Sequence, residues 1–176
     1  QSTLERLAEK TQESTYVYVR SGWEVVCVAL AHSPLPIQHF NRIGKAFPLC
    51  AGSSGKLFAA ELPFEELQQC LKIYLAKEPI YPGSIKSQQQ LMDELKEIRE
   101  CGYAISKMEV SKDGVSIAVP IRNYQGVVVA SLSQVGPGER MTDARLPQLI
   151  AILTEESRLI SAKLGSPDNS ISSFDV

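Results

Sequence analysis

Gly52-Ser53-Ser54-Gly55-Lys56 is the segment with the most chemical possibilities in the chain. Glycines around two hydroxyls and a lysine suit a turn feeding a helix N-terminus, where free backbone N–H groups and the helix dipole favour an anion. The spacing is not that of a nucleotide P-loop, which would need Gly at 50 and Ser or Thr at 57, where Cys50 and Leu57 stand. Ser53 and Lys56 match the S-x-x-K pair of penicillin-binding enzymes, but the companion S-D-N and K-T-G elements are absent. A plain helix cap uses the same residues, so the segment by itself leaves both readings open.

The other reactive side chains form no recognisable set. Cys27, Cys50, Cys70 and Cys101 contain no CxxC pair, which argues against common zinc and thioredoxin patterns. They read as reduced, mostly buried side chains. Thiol redox chemistry at Cys50, close to the Gly-rich turn, is an alternative; Cys101 and His39 are its available partners, with no motif linking them. His32 and His39 stand seven apart without a completing carboxylate or thiolate, so no metal and no cofactor are expected.

The hydropathy pattern predicts the elements that position these groups. Ser2 and Glu5 have capping-box spacing for a helix over 2–13. Strands are predicted at 15–20 and 23–30 around a Ser21-Gly22 turn, and at 103–108, 115–122 and 127–135. Helices are predicted at 56–60, after Pro63 with Phe64, Leu67, Leu71 and Tyr74 on one face, and after Ser87 with Leu91, Leu95 and Ile98 aligned. Glu78–Gly83 breaks the pattern. Thr142 is placed to cap a last helix with Leu146, Ile150, Leu153, Ile160 and Leu164 on one side, ended by Gly165 and Pro167. Clustered strands and blocked helices indicate an α+β domain with an antiparallel sheet rather than a βαβ wrap.

Several segments together resemble one family. Gly44-Lys45-Ala46-Phe47-Pro48-Leu49 followed by Gly52 to Ala60 is similar to a signature of IclR-type effector-binding domains. Leu91–Ile98, Gly102-Tyr103-Ala104, Glu109, Gly114–Ile121, Gly126, Leu132-Ser133, Gly136-Pro137, Arg140 and the 160–165 end follow in the same order. The resemblance covers residues 1–165, leaving 166–176 as a polar tail. It implies a GAF-like (profilin-like) domain, a curved antiparallel sheet flanked by helices, acting as the small-molecule sensor of a bacterial transcription regulator and not as an enzyme.

The resemblance also assigns residues. Ser53 and Ser54 match the contact to a ligand carboxylate, and Ser133 a polar contact. Phe47, Val115 and Ile117 match apolar wall positions, and Val135 a place that is often Ser. Lys107 replaces a common acidic residue; lining a pocket it would favour a second acidic group on the ligand, and otherwise it is a solvated strand end. His39 falls in the segment expected to cover the pocket. Glu109 is expected to order its loop. Alternation puts Val115, Ile117 and Val119 on one face of their strand, and Ser131, Ser133 and Val135 on one face of the next.

Composition limits the partners. The 176 residues are 44% apolar and carry 18 Lys plus Arg against 20 Asp plus Glu, a net charge of −2. That balance does not support nucleic-acid binding by bulk charge, and no apolar run approaches membrane-spanning length. The chain starts at Gln1 without a secretory leader, so the expectation is a cytoplasmic piece of a longer protein whose N-terminal winged helix-turn-helix is absent. Expected partners are a small organic acid and further copies in a homodimer or tetramer, with DNA bound only through the missing part. A dimerisation module without ligand is the remaining alternative.

Overall fold

Ser2 accepts from the Glu5 amide at 3.3 Å and Glu5 accepts from the Ser2 amide at 2.8 Å, and this reciprocal cap starts helix α1 (Thr3–Thr11). The computed structural model describes residues 2–39, 41–76 and 81–167. Residues 168–176 of the expected tail and 78–80 of the expected break lie outside the described residues.

Strands β1 (Ser14–Ser21) and β2 (Glu24–Ala31) pair across a Gly22–Trp23 turn, one residue later than expected. A short β3 (Ala46–Pro48) pairs with β2. Then come α2 (Gly52–Ala60), α3 (Phe64–Leu75) and α4 (Gln88–Cys101). Last are β4 (Ala104–Lys107), β5 (Gly114–Arg122), β6 (Val128–Pro137) and α5 (Leu146–Lys163). Six strands form one curled antiparallel sheet in the order β3-β2-β1-β6-β5-β4. The architecture is the expected α+β.

Each sheet face carries its own core. Tyr16, Tyr18, Cys27 and Ala118 pack under α2, α3 and α4 with Leu57, Leu67, Leu91 and Leu95. Ile117, Val119 and Leu132 pack on the other face with Leu7 of α1 and Leu149 and Leu153 of α5. Two helices present different faces from those the pattern predicts. Phe64 is exposed, and α3 buries Leu67, Cys70 and Leu71. Helix α5 buries Leu146, Leu149, Leu153, Ser157 and Ser161, while Leu164 is exposed. The stripe ends on serines because Ser157 Oγ donates to the Pro120 carbonyl and Ser161 Oγ accepts from the Arg122 amide at 2.9 Å.

The β5–β6 hairpin sets which residues share a face. Asn123 N donates to the Val127 carbonyl at 3.0 Å, and Arg122 pairs with Val128. An uninterrupted ladder would then set Ile117 opposite Ser133. Instead the register shifts by one between Arg122 and Ile121, leaving Val129 as the extra residue. Beyond this bulge Ala118 stands opposite Ser133 and Ser116 opposite Val135.

Helix α2 lies close to the chain that precedes it. A Cβ on Gly55 would stand 2.5 Å from the Pro48 carbonyl oxygen and 2.9 Å from that of Leu49. Gly55→Ala is therefore expected to cost about 2 kcal/mol by overpacking, lowering Tm by roughly 4–8 °C in differential scanning calorimetry. An unchanged Tm would contradict this close approach.

Candidate functional site

Helix α2 begins with a sharp reversal. Ala51 is extended, and Gly52 has φ +69°, a left-handed conformation that glycine adopts without strain. The Gly-Ser-Ser-Gly run is thus the first turn of the helix and not a loop before it. Ala51 has no capping group, so the cap comes from the β4–β5 loop: the Gly52 amide donates to Glu109 Oε2 at 3.0 Å. Lys56, one turn further on, donates to Glu109 Oε1 at 2.5 Å, Glu94 Oε2 at 2.6 Å and the Ile105 carbonyl at 2.9 Å. The Lys56 and Glu109 side chains are 3% and 5% exposed. Burial raises the Glu109 pKa, and the Lys56 charge partly offsets that rise.

The start of α2 forms one wall of a cavity of about 150 Å³. Ala51 to Gly55 face Tyr18 and Val25, then Phe47, Ser116, Ser133 and Val135 across it. Val110 and Ser111 close one side, and His39, Asn41 and Lys45 the outer side. Two β1 tyrosines hold that outer segment: Tyr16 OH donates to the His39 carbonyl at 2.8 Å, and Tyr18 OH accepts from Asn41 Nδ2 at 2.9 Å. His39 Nε2 lies 3.3 Å from Asp113 Oδ1, and Lys45 Nζ stands 5.5 Å from the centre of the Phe47 ring. Ser53 Oγ donates to Ser116 Oγ at 2.8 Å. Ser54 Oγ is buried, its residue lies on the wall, and it has no partner among the described residues. A buried hydroxyl without a partner costs about 1–3 kcal/mol.

The structure brings Phe47, Ser53, Ser54, Ser133, Val135 and His39 around this one space. Val115 and Ile117 are placed elsewhere, a correction to the sequence-based expectation. Both belong to the core under α1 and α5, on the opposite sheet face. The bulge at Val129 is the reason, because it puts Ser116 where Ile117 was expected. Lys107 is also corrected: it pairs with Val115 on that other face and forms an exposed 2.5 Å ion pair with Asp143. Sequence reasoning missed Ser116, Ser111, Asn41 and Lys45. Ser116 carried a signal, a hydroxyl alternating with apolar neighbours, but its face depended on the bulge.

Cys50 does not line the cavity. Its thiol is pushed well up by the hydrogen bond with Cys70 and then by burial, the reverse of what thiolate chemistry needs. Among the described residues no cluster of His, Cys, Asp and Glu fits a metal ion, and no helix is long and apolar enough to cross a membrane.

The family described as "Bacterial transcriptional regulator IclR C-terminal" matches residues 1–162. The chain belongs to the IclR family. Within it, the chain is 30% identical over 164 residues to the HTH-type transcriptional regulator XynR of Escherichia coli K12, covering 93% of this chain and 65% of XynR. IclR of Thermotoga maritima superposes with a TM-score of 0.84 at 30% identity, over 92% of this chain and 65% of that one. A double mutant of the inducer-binding domain of PobR from Acinetobacter, in complex with 3-hydroxybenzoic acid, superposes at 0.80 over 93% of each chain. Its 23% identity supports the shared fold alone. The chain spans 59–65% of the length of the curated relatives it matches. Those relatives are transcriptional regulators and repressors, not enzymes.

The buried pair makes a pH-dependent prediction for this IclR domain. Lys56→Met leaves the Glu109 carboxylate buried without its main counter-charge and is expected to cost about 3–5 kcal/mol near pH 8. Glu109 already has a raised pKa in the fold, and removing Lys56 raises it further. A raised carboxyl pKa gives stability that is present below the unfolded pKa and lost as pH rises through the folded one. The deficit of the variant should therefore shrink toward pH 4.5 in urea unfolding. Equal deficits at pH 5 and pH 8 would refute this account.

Proposed function

We propose that the domain senses a small organic acid in the α2 cavity and that occupancy changes the DNA affinity of the regulator it belongs to. The observation that carries this reading is the unpartnered Ser54 hydroxyl, buried in the cavity wall on the first turn of α2. A carboxylate there would accept from Ser54 and from first-turn amides other than that of Gly52, which Glu109 holds. Ser133 and Asn41 then offer polar contacts to a hydroxyl or carbonyl, while Val25, Phe47 and Val135 pack on the carbon skeleton. The volume of about 150 Å³ suits a body of roughly one aromatic ring. A double mutant of the PobR inducer-binding domain, which has the same fold, is in complex with an acid of this class.

Binding alters DNA affinity only if the acid prefers one of two conformations. Helix α1 is the proposed output, because it lies at the N-terminal side of a segment that matches the C-terminal part of its family. Assembly as a homodimer or tetramer in the cytoplasm would pair two DNA readers on one operator.

The test is a thermal-shift panel of keto acids, hydroxy acids and hydroxybenzoates. An acid at about 100 times its Kd adds about 2.7 kcal/mol, seen as a rise in Tm of roughly 5–10 °C. Ser54→Val combined with Ser133→Ala is expected to weaken its binding at least about tenfold, the loss of one or two hydrogen bonds. Undiminished affinity in that double variant would place the site elsewhere. No shift with any acid would favour a dimerisation module without ligand.

A further inference from the structure

A second pair of reactive atoms lies beside the cavity. Cys50 is in the turn between β3 and α2, and Cys70 is on the buried face of α3. Both thiols are free, their sulfurs are 3.2 Å apart, and the residues are 0% and 3% exposed. Neither lines the cavity. We propose that Cys50 and Cys70 are a redox modification site, converted by hydrogen peroxide to a reversible disulfide that ties the β3–α2 turn to α3.

A disulfide needs the sulfurs near 2.05 Å, so the observed 3.2 Å must shorten by only about 1.2 Å. The two thiols are not equivalent. Glu66, one helical turn from Cys70, holds Arg20 in a 2.8 Å ion pair. The hydrogen bond with Cys50, aided by the Arg20 charge against the cost of burial, draws the Cys70 thiol below its ordinary range. Cys70 is therefore the first nucleophile. Its thiolate attacks one peroxide oxygen, the O–O bond breaks, and the departing hydroxide takes up the Cys70 proton as water. The Cys50 sulfur then attacks the resulting Cys70 sulfenic acid. The S–S bond forms, the S–O bond breaks, and hydroxide leaves with the Cys50 proton as a second water. Two thiols lose two electrons, and one peroxide becomes two waters.

The cavity wall starts one residue past Cys50, at Ala51, whose amide donates to the Pro48 carbonyl at 3.1 Å. Drawing Cys50 toward α3 therefore moves the first turn of α2 and the serines it carries. The consequence for an effector rests on the binding reading above, whereas formation of the bond does not.

The experiment treats the native chain with hydrogen peroxide, quenches with acid, unfolds it, alkylates with iodoacetamide and maps the peptides by mass spectrometry. Exposed Cys101 reports that the oxidant acted. The expected result is a Cys50–Cys70 linked peptide in most molecules, abolished by dithiothreitol. Hydrogen exchange across residues 49–58 of the oxidised sample is expected to change by about threefold or more. Both readouts are free of effector, so a failed carboxylate panel leaves them unmoved. Recovery of alkylated Cys50 and Cys70 while Cys101 is oxidised overturns the proposal, and so does a linkage of either to another cysteine. A linked peptide with unchanged exchange overturns the tie to the cavity wall.

Discussion

The buried ion pair between Lys56 and Glu109 is the constraint on which the cavity depends. Helix α2 has nine residues, all of them buried, too few to hold a helix in isolation. Its N-terminus has no cap of its own and takes one from Glu109, across the sheet edge. A carboxylate in that position would be costly without a cation, and α2 supplies the cation itself at Lys56. The helix thus neutralises the group that caps it. The Glu109 loop is also held through its backbone, where Ser84 Oγ donates to the Glu109 carbonyl at 3.3 Å and Gly83 N to the Met108 carbonyl at 2.9 Å. Glu109 therefore links two cavity walls, the α2 turn and Val110–Ser111.

This arrangement also limits what the helix terminus can do for a ligand. Part of the positive end of α2 already faces a carboxylate. Under the proposed reading, recognition of an acid in the cavity would depend on the remaining first-turn amides and on hydroxyls, not on the helix dipole acting alone. The serine-rich lining is consistent with that demand: Ser53, Ser54, Ser111, Ser116 and Ser133 all reach the cavity. Neutral donors hold a small anion without the desolvation cost that a buried cation would add.

What the sequence could and could not reveal follows from local against non-local causes. The Ser2 and Ser87 caps and the Gly102 terminus depend on neighbours in the chain, and they were legible. Glu109 as an ordering residue was legible through the family resemblance. The face of β5 was not. Its register against β6 is set by one bulged residue at Val129, and a one-residue slip exchanges the two faces of a strand. The family resemblance put Val115 and Ile117 on the cavity side, whereas the bulge turns Ser116 there instead. Lys107 failed for the same kind of reason, since its side is inherited from Val115 across the ladder. Phe64 and Leu164 show the limit of helical periodicity, which finds apolar spacing but not the side on which a neighbour stands.

Alternation along β6 also gives the proposed sensor a short way out of its cavity. Ser133 faces the cavity, and the next residue, Gln134, faces the other side of the sheet. There Gln134 Nε2 donates to Thr11 Oγ1 at 2.5 Å, at the end of α1, and to Thr15 Oγ1 at 3.3 Å. Two residues on, Gly136 leaves space for Glu13, since a Cβ would lie 2.3 Å from Glu13 Oε2. Glu13 is fully buried and accepts from Arg140 at 2.9 and 2.8 Å and from Arg145 at 2.7 Å. Arg145 also donates to the Thr11 carbonyl, so the end of α1 is bound both to β6 and to the segment entering α5. Breaking a buried network of this kind is costly, which favours motion of its members as a unit. Under the proposed reading, an acid that shifts Ser133 shifts Gln134 with it, and α1 follows through Thr11 rather than through a longer path across the core.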